Sequence, residues 1–240
     1  MTRPAIIVAH GQPSDPQPQQ DAAEALAAKV AALSGRQVIG ATLAQPGALE
    51  DAVRGAPDAM VYPMFMAEGW FTGTELPRRL AKAAAGPGTT VLRPFGRDPG
   101  LPDLCRRTAR DAALAAGWDA QQITLLLIAH GSQRARASAQ GTREMADLLA
   151  PRFGRIVTGF IEEAPFLHDA AAGLGPRCIA LPLFATRAEH VTDDIPEGLA
   201  AAGFAGTCLP PIGLSPEVPA MIAAALDRAD SVIAPPPAEA

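Results

Sequence analysis

The chain has 240 residues, of which 48% are hydrophobic and 19% are charged, and its formal net charge is −5. This composition predicts a globular fold, and the negative balance excludes a phosphate-backbone partner, so we expect no nucleic-acid binding. Three widely spaced cysteines form no C-x-x-C pair, which favours a reducing cytoplasm over a disulfide framework or a zinc site. Because no apolar segment is long enough to span a bilayer, we expect no membrane partner.

The first half of the chain alternates strand and helix patterns. It begins with a strand over residues 4–10, where small and β-branched residues follow one another as in a parallel strand buried on both faces. Further strands are predicted over 37–43, 58–65 and 89–92, and helices over 21–33, 48–53, 74–84 and 101–116. This order predicts an α/β fold with an open parallel sheet covered by helices. The Pro- and Ala-rich residues 230–240 are predicted to form a disordered tail.

Several short segments of the first half recur about 120 residues later. Val8-Ala9-His10-Gly11 returns as Ile128-Ala129-His130-Gly131, and Pro63-Met64-Phe65 returns as Pro182-Leu183-Phe184. A Leu- and Pro-containing block over 92–102 returns over 209–219. Ordered matches at nearly constant spacing indicate a duplication. We therefore predict two α/β repeats, over residues 1–118 and 119–229, with 230–240 as the tail.

Three of the four histidines lie at or near predicted strand ends. His10 and His130 end equivalent strands, and His190 follows the strand that contains Pro182. Ligands of open α/β sheets bind outside the carboxyl ends of strands, and imidazole is a common ligand of divalent transition metals. We interpret His130 and His190 as a metal site. For His10 a capping or core role is an equal alternative, and His168 is interpreted as an ordinary histidine.

The second half carries a longer pattern over 182–196, which runs P-x-F, then His190 and finally Asp-Ile-Pro. Together with the strand-His-Gly-Ser segment at 128–132, it resembles the class II tetrapyrrole chelatases that metallate sirohydrochlorin, except that Ala188 replaces the usual Gly. The resemblance implies a lyase of cobalamin, siroheme or heme biosynthesis. Its metal substrate would be Co²⁺, Fe²⁺ or Ni²⁺, its other substrate a tetrapyrrole, and it would need no organic cofactor.

The resemblance also implies roles for individual residues. His130 would bind the metal and accept pyrrole protons, His190 would bind the metal, and Glu189 or Asp193 would orient His190 or relay protons. Glu68 is a further possible metal ligand. Ser132 and Arg134 lie in the segment that would bind the tetrapyrrole, where Arg134 could pair with its carboxylates or be an ordinary surface arginine.

The first repeat departs from this pattern at the second histidine. Aligning Pro63 with Pro182 puts Phe71 at the position of His190 and Trp70 at that of Glu189, so His10 lacks its expected partner and the first site is degenerate. Trp70 and Phe71 offer a flat apolar surface that could stack on a macrocycle held between the repeats. A simple core role is nearly as good an interpretation.

Two other function classes share features of this sequence with the chelatases. Histidine phosphatases also begin with a strand-His-Gly segment, but they carry Arg before the His, whereas Ala9 and Ala129 stand here. A non-catalytic metal or tetrapyrrole carrier would use the same ligands and stays open, and we expect a monomer or a homodimer.

Overall fold

The computed structural model describes residues 2–132, 136–187 and 190–233. Within these ranges the side chains of 136–138, 190, 232 and 233 are not described. In chain order the strands are β1 (Ala5–Ala9), β2 (Val38–Thr42), β3 (Met60–Pro63), β4 (Thr90–Val91), β5 (Thr124–Ala129), β6 (Arg155–Phe160), β7 (Cys178–Pro182) and β8 (Thr207–Cys208). The α-helices are α1 (Gln17–Ser34), α2 (Ala48–Gly55), α3 (Leu76–Lys82), α4 (Leu101–Ala115), α5 (Arg136–Leu149), α6 (Leu167–Ala171), α7 (Ile195–Ala201) and α8 (Val218–Ile233).

The strands form two four-stranded sheets of the same design. The first has the order β2-β1-β3-β4 and the second the order β6-β5-β7-β8, and every pair in both sheets is parallel. The predicted α/β fold with two duplicated, helix-flanked parallel sheets is therefore confirmed.

The central strands explain why their sequences are continuously apolar. All five residues of β1 are buried, as are the last five of β5, because both faces of a central parallel strand are covered. Gly40 in β2 shows how closely one helix packs, since a Cβ there would lie 2.3 Å from the carbonyl oxygen of Ala23 in α1. Among the helices in the described part of the chain, none has both the length and the apolarity to cross a membrane.

The chain divides into two compact units that differ from the two sequence repeats. Unit 1 comprises residues 1–98 and 217–240, and unit 2 comprises residues 99–216. Helix α4 follows the first sheet in sequence but packs against β7 and α5, and α8 follows the second sheet but packs against α1. The predicted boundary near residue 118 thus differs from the boundaries of the compact units, because the last long helix of each repeat packs in the unit that holds the other repeat's sheet.

Ionic contacts fix α8 to unit 1. The guanidinium of Arg36, whose side chain is only 2% exposed, binds Asp227 and Asp230, two acidic residues of α8. Arg228 binds Asp98, which also accepts a hydrogen bond from the buried hydroxyl of Tyr62. Burial and the neighbouring Asp98 raise the pKa of Tyr62, so its hydroxyl remains a donor.

The end of the ordered chain differs from the sequence prediction. Residues 230–233, assigned to a disordered tail, continue α8, and Asp230 belongs to the ion pair with Arg36. A long-range ion pair of this kind leaves no signature in local sequence periodicity. Residues 234–240 lie outside the described residues.

Candidate functional site

His130 lies directly after the central strand of the second sheet. Ala129 pairs with Phe160 of β6, and Ile128 pairs with Pro182 of β7, so the carboxyl ends of both neighbouring strands flank this histidine. Its side chain is about one-third exposed. This is the edge of an open α/β sheet at which ligands bind.

A backbone contact sets the tautomer of the His130 ring. Its Nδ1 lies 3.0 Å from the carbonyl oxygen of Gly131, and a carbonyl oxygen can only accept a hydrogen bond. The hydrogen is therefore on Nδ1, and in the neutral ring the lone pair is on Nε2. A ring oriented in this way is typical of metal-binding histidines, whose second nitrogen donates to a carbonyl or carboxylate.

A carboxylate lies beside the same ring nitrogen. Oε2 of Glu162 is 3.5 Å from Nδ1 of His130, and the backbone N–H of Glu162 donates to the carbonyl oxygen of His130 at 2.9 Å. The loop after β6 is thus attached to the end of β5. A carboxylate beside the ring in this way favours a metal cation bound at Nε2 of the imidazole.

Gly131 allows the chain to turn closely over the next acidic residue. Its φ is +72°, and a Cβ there would lie 2.8 Å from Cγ of Glu163 and 3.0 Å from Cβ of Phe160. Among the described residues, none is a hydrogen-bond partner of Oε1 of Glu163, which is buried. Because an unpaired buried oxygen is unfavourable, this atom is suited to a hydrogen-bond donor or a cation at the site.

A Gly131→Ala change should therefore damage both stability and the site. The left-handed backbone alone costs about 1–2 kcal/mol for a non-glycine residue, and Glu163 must also move. Gly117→Ala is the matched control, because Gly117 has a φ of +77° with no atom within 4 Å of the added Cβ. Thermal unfolding and metal titration of both variants should show a larger stability loss and weaker metal binding for Gly131→Ala only. Equal losses in the two variants would contradict the close packing over Glu163.

The second proposed ligand begins a π turn that occurs in both units. His190–Asp194 forms a π turn before α7, and Phe71–Glu75 forms the equivalent turn before α3. The structure therefore supports the alignment of His190 with Phe71. The side chain of His190, together with Glu189 and Arg134, lies outside the described residues, so their proximity to His130 stays a prediction. Ser132 is described and half-buried, directly after Gly131.

In unit 1 an aromatic ring takes the place of a second imidazole. The ring of Phe71 meets the His10 ring edge-on, with centroids 4.6 Å apart, and stacks on Phe65 at 6.0 Å. Phe71 also packs against the buried cluster of this unit, so part of its role is structural. Trp70 lies edge-on to Phe71 at 5.0 Å but is 61% exposed.

The remaining predicted ligand does not join a cluster of ligands. Glu68 is exposed in the loop between β3 and the π turn of unit 1. Among the described residues, no three His, Cys, Asp or Glu side chains are arranged to hold a metal. His168, interpreted as ordinary, stacks on Phe166 at 6.0 Å and lies 3.4 Å from Asp169.

Sequence reasoning missed Glu162 and Glu163. The duplication carried a usable signal, because it predicts a strand over 155–160 equivalent to β2. Acidic residues directly after that strand fall at the same sheet edge as His130.

Glu162 also lines a cavity of about 310 Å³, together with Asp194 and Glu197.

Comparison with known proteins identifies the family. The CbiX family matches residues 4–112 and 124–229, one stretch in each sequence repeat. The chain belongs to the CbiX family. No curated protein matches it at a significant level.

Solved structures agree with this assignment. CbiX, the terminal enzyme for biosynthesis of siroheme in denitrifying bacteria, is 55% identical, with a TM-score of 0.87, over 95% of this chain and 99% of its own. SirB from Bacillus subtilis with Fe³⁺ is 16% identical, with a TM-score of 0.71, over 98% of this chain and 96% of its own. SirB from Bacillus subtilis subspecies spizizenii in complex with cobalt is 17% identical, with a TM-score of 0.67, over 97% of both chains. At these low identities the two SirB structures support the shared fold alone.

Proposed function

We propose that this CbiX-family chain is a sirohydrochlorin chelatase, a lyase that inserts a divalent metal into the tetrapyrrole for siroheme or cobalamin biosynthesis. The observation that carries the proposal is its 55% identity, over almost the full length of both chains, to the CbiX that is the terminal enzyme of siroheme biosynthesis. The orientation of the His130 ring supports the proposal independently. Insertion needs a metal ligand and an acceptor for pyrrole protons, and Nε2 of His130 is suited to these roles.

Metal insertion requires the pyrrole N–H protons to leave while the metal exchanges water for nitrogen ligands. His130 is suited to this step, because its Nδ1 is committed to Gly131 and its Nε2 carries the lone pair. Glu162 holds a negative charge beside the ring, which stabilises the imidazole as it takes a proton or binds the metal. Two protons leave the macrocycle: one goes to Nε2 of His130 once that atom has released the metal, and the other goes to a carboxylate of the site.

The other members of the site are assigned by family resemblance. His190 binds the metal from the start of the π turn, and Glu189 orients it or relays protons. Glu68 is a further possible ligand, and Ser132 and Arg134 contact the tetrapyrrole. The cytoplasm is the proposed location, supported by the unpaired state of all three cysteines.

The metal is proposed to be Fe²⁺ or Co²⁺, with Ni²⁺ as a third candidate. Iron and cobalt are placed first because SirB, which shares the fold, has been solved with Fe³⁺ and with cobalt. Imidazole and carboxylate ligands suit all three ions, so the donor set does not select among them.

Anaerobic incubation with sirohydrochlorin and each metal, followed by visible spectroscopy, tests the proposal. A chelatase should raise the insertion rate above the protein-free rate for at least one of the three metals. A carrier derived from a chelatase should instead bind metal or tetrapyrrole in stoichiometric amounts without raising that rate, and this outcome would overturn the proposed activity.

Glu162→Gln should lower the insertion rate about 10- to 100-fold, the usual cost of losing the partner of a metal-binding histidine. Glutamine keeps the shape of the side chain but removes the charge beside His130. Asp169→Asn is the matched control, because Asp169 stands at a similar distance from the exposed His168. Initial insertion rates at saturating metal check the prediction, and equal rates in both variants would remove Glu162 from the mechanism.

A further inference from the structure

The two π turns and the helices that follow them differ sharply in chemistry. Residues 70–79 of unit 1 carry two aromatic residues, one acid and two arginines. The aligned residues 189–198 of unit 2 carry four acids and one histidine, with no arginine or lysine. The backbone elements are the same in both units, so the two copies of one structural segment differ in the charge of their side chains and not in their secondary structure.

In unit 1 the single acid holds both arginines in place. The buried carboxylate of Glu75 accepts two hydrogen bonds from Arg78, each at 2.9 Å, and one from Arg79 at 2.7 Å. These bonds lower the pKa of Glu75 to about 2, so the carboxylate stays charged at any physiological pH. Arg79 also donates to the carbonyl oxygen of Leu43 at 2.6 Å. Because the segment of residues 70–79 contains two arginines and one acidic residue, its net charge is positive.

Trp70 and Arg78 are the large side chains among the exposed residues of the segment, the others being Gly73, Thr74 and Pro77. Trp70 is 61% exposed, and the side chain of Arg78 is 62% exposed. The guanidinium of Arg78 is nevertheless held in place by its ion pair with Glu75. In ideal geometry, one π turn followed by one α turn spans about eight residues, so positions 70 and 78 fall on the same side of the segment. The same geometry separates them by about 10 Å along the axis, which is on the scale of a tetrapyrrole macrocycle.

We infer that unit 1 binds a tetrapyrrole polycarboxylate, with Trp70 against the face of the ring and Arg78 paired with one of its peripheral carboxylates. The inference rests on the proposed function, since it names the part of the chain that recognises the organic substrate. Glu75 is the positioning residue, because it holds the guanidinium without neutralising both arginines.

The chemistry of the segment favours this occupant over a metal ion. A cation is repelled by two arginines, whereas the carboxylates of sirohydrochlorin match a guanidinium in shape and charge. Stacking of a flat ring on an aromatic side chain contributes further affinity without demanding a particular substituent. The segment of unit 1 thus has the chemistry of an anion site, whereas the aligned segment of unit 2 has the chemistry of a cation site.

The test is direct binding of metal-free uroporphyrin, an octacarboxylate tetrapyrrole, to the full chain by fluorescence titration. Arg78→Glu, which installs the residue type found at the aligned Glu197, should weaken binding about 10- to 100-fold, and Trp70→Ala about 10-fold. Arg54→Glu is the matched control, because Arg54 forms the same i,i+3 type of ion pair, with Asp51, on another exposed helix of unit 1. The uroporphyrin affinity of Arg54→Glu should stay within about twofold of that of the parent protein, because most surface substitutions away from a binding site have small effects.

Two further measurements separate the possible failures. Deuteroporphyrin, with only two carboxylates, should lose less affinity than uroporphyrin on Arg78→Glu, and Co²⁺ binding should be unchanged in every variant. Unchanged uroporphyrin affinity in folded Arg78→Glu and Trp70→Ala would overturn the inference while leaving the chelatase proposal intact. Tight, Arg78-dependent uroporphyrin binding without any metal insertion would support the inference and overturn the chelatase activity.

Discussion

His130→Ala should reduce metal insertion at least about 100-fold, because the Nε2 lone pair of this residue serves in turn as a metal ligand and, once the metal has passed to the macrocycle, as the acceptor of one of the two pyrrole protons. The ring is fixed by the carbonyl of Gly131 and by Glu162, so another side chain cannot readily take its place. His190→Ala should have an effect of similar size. Insertion rates with Co²⁺ under anaerobic conditions, together with the metal affinity of each variant, check this expectation.

His10→Ala is the matched control for the loss of a strand-end histidine. His10 makes the same Nδ1 contact to the following glycine, at 2.9 Å, but its neighbour is the Phe71 ring. We expect its rate to stay within a few-fold of the parent. A greater loss from His10→Ala than from His130→Ala would move the working site to the first unit.

A chain that ends at Pro216 should fail to fold unit 1. It lacks α8, whose Val218, Ile222 and Leu226 are buried. Burial of three such side chains contributes roughly 5 kcal/mol or more, which is comparable with the total stability of many domains. The truncation also leaves Arg36 buried without Asp227 and Asp230. Hydrogen exchange should show loss of protection in β1 and β3 with protection retained in β5 and β7.

A chain that ends at Ile233 serves as the control, because it keeps the whole of α8 and both ion pairs of Arg36. Its exchange pattern should match that of the full chain. Protection of β1 and β3 in the shorter truncation would show that α1 and the sheet suffice for unit 1, and would contradict the structural role assigned to α8.

Local pattern was enough to predict most elements of the sheets. The continuous apolar runs before His10 and His130 are the central strands, and the recurring motifs located the second sheet from the first. The alignment of Phe71 with His190 agrees with the structure because two π turns and two helices follow at the same spacing. Such features are encoded within a few residues of one another, so periodicity and repetition reveal them.

Features that depend on distant partners were not predictable in the same way. The exchange of α4 and α8 depends on which elements each helix packs against, β7 and α5 for α4 and α1 for α8, and these partners lie far away in the sequence. Glu162 became a candidate only when β6 was found beside β5, and Arg36 binds residues nearly two hundred positions away. Single-sequence patterns carry no direct record of these tertiary neighbours.

The helix exchange makes unit 2 an insertion within unit 1. Residues 99–216 form one continuous stretch, whereas the first sheet and its last helix come from opposite ends of the chain. A fragment cut at the junction between the sequence repeats therefore separates α4 and α8 from the units in which they pack. Only the inserted unit can be isolated as a single uninterrupted piece, and a gene for unit 1 alone requires joining residue 98 to residue 217 through a new linker.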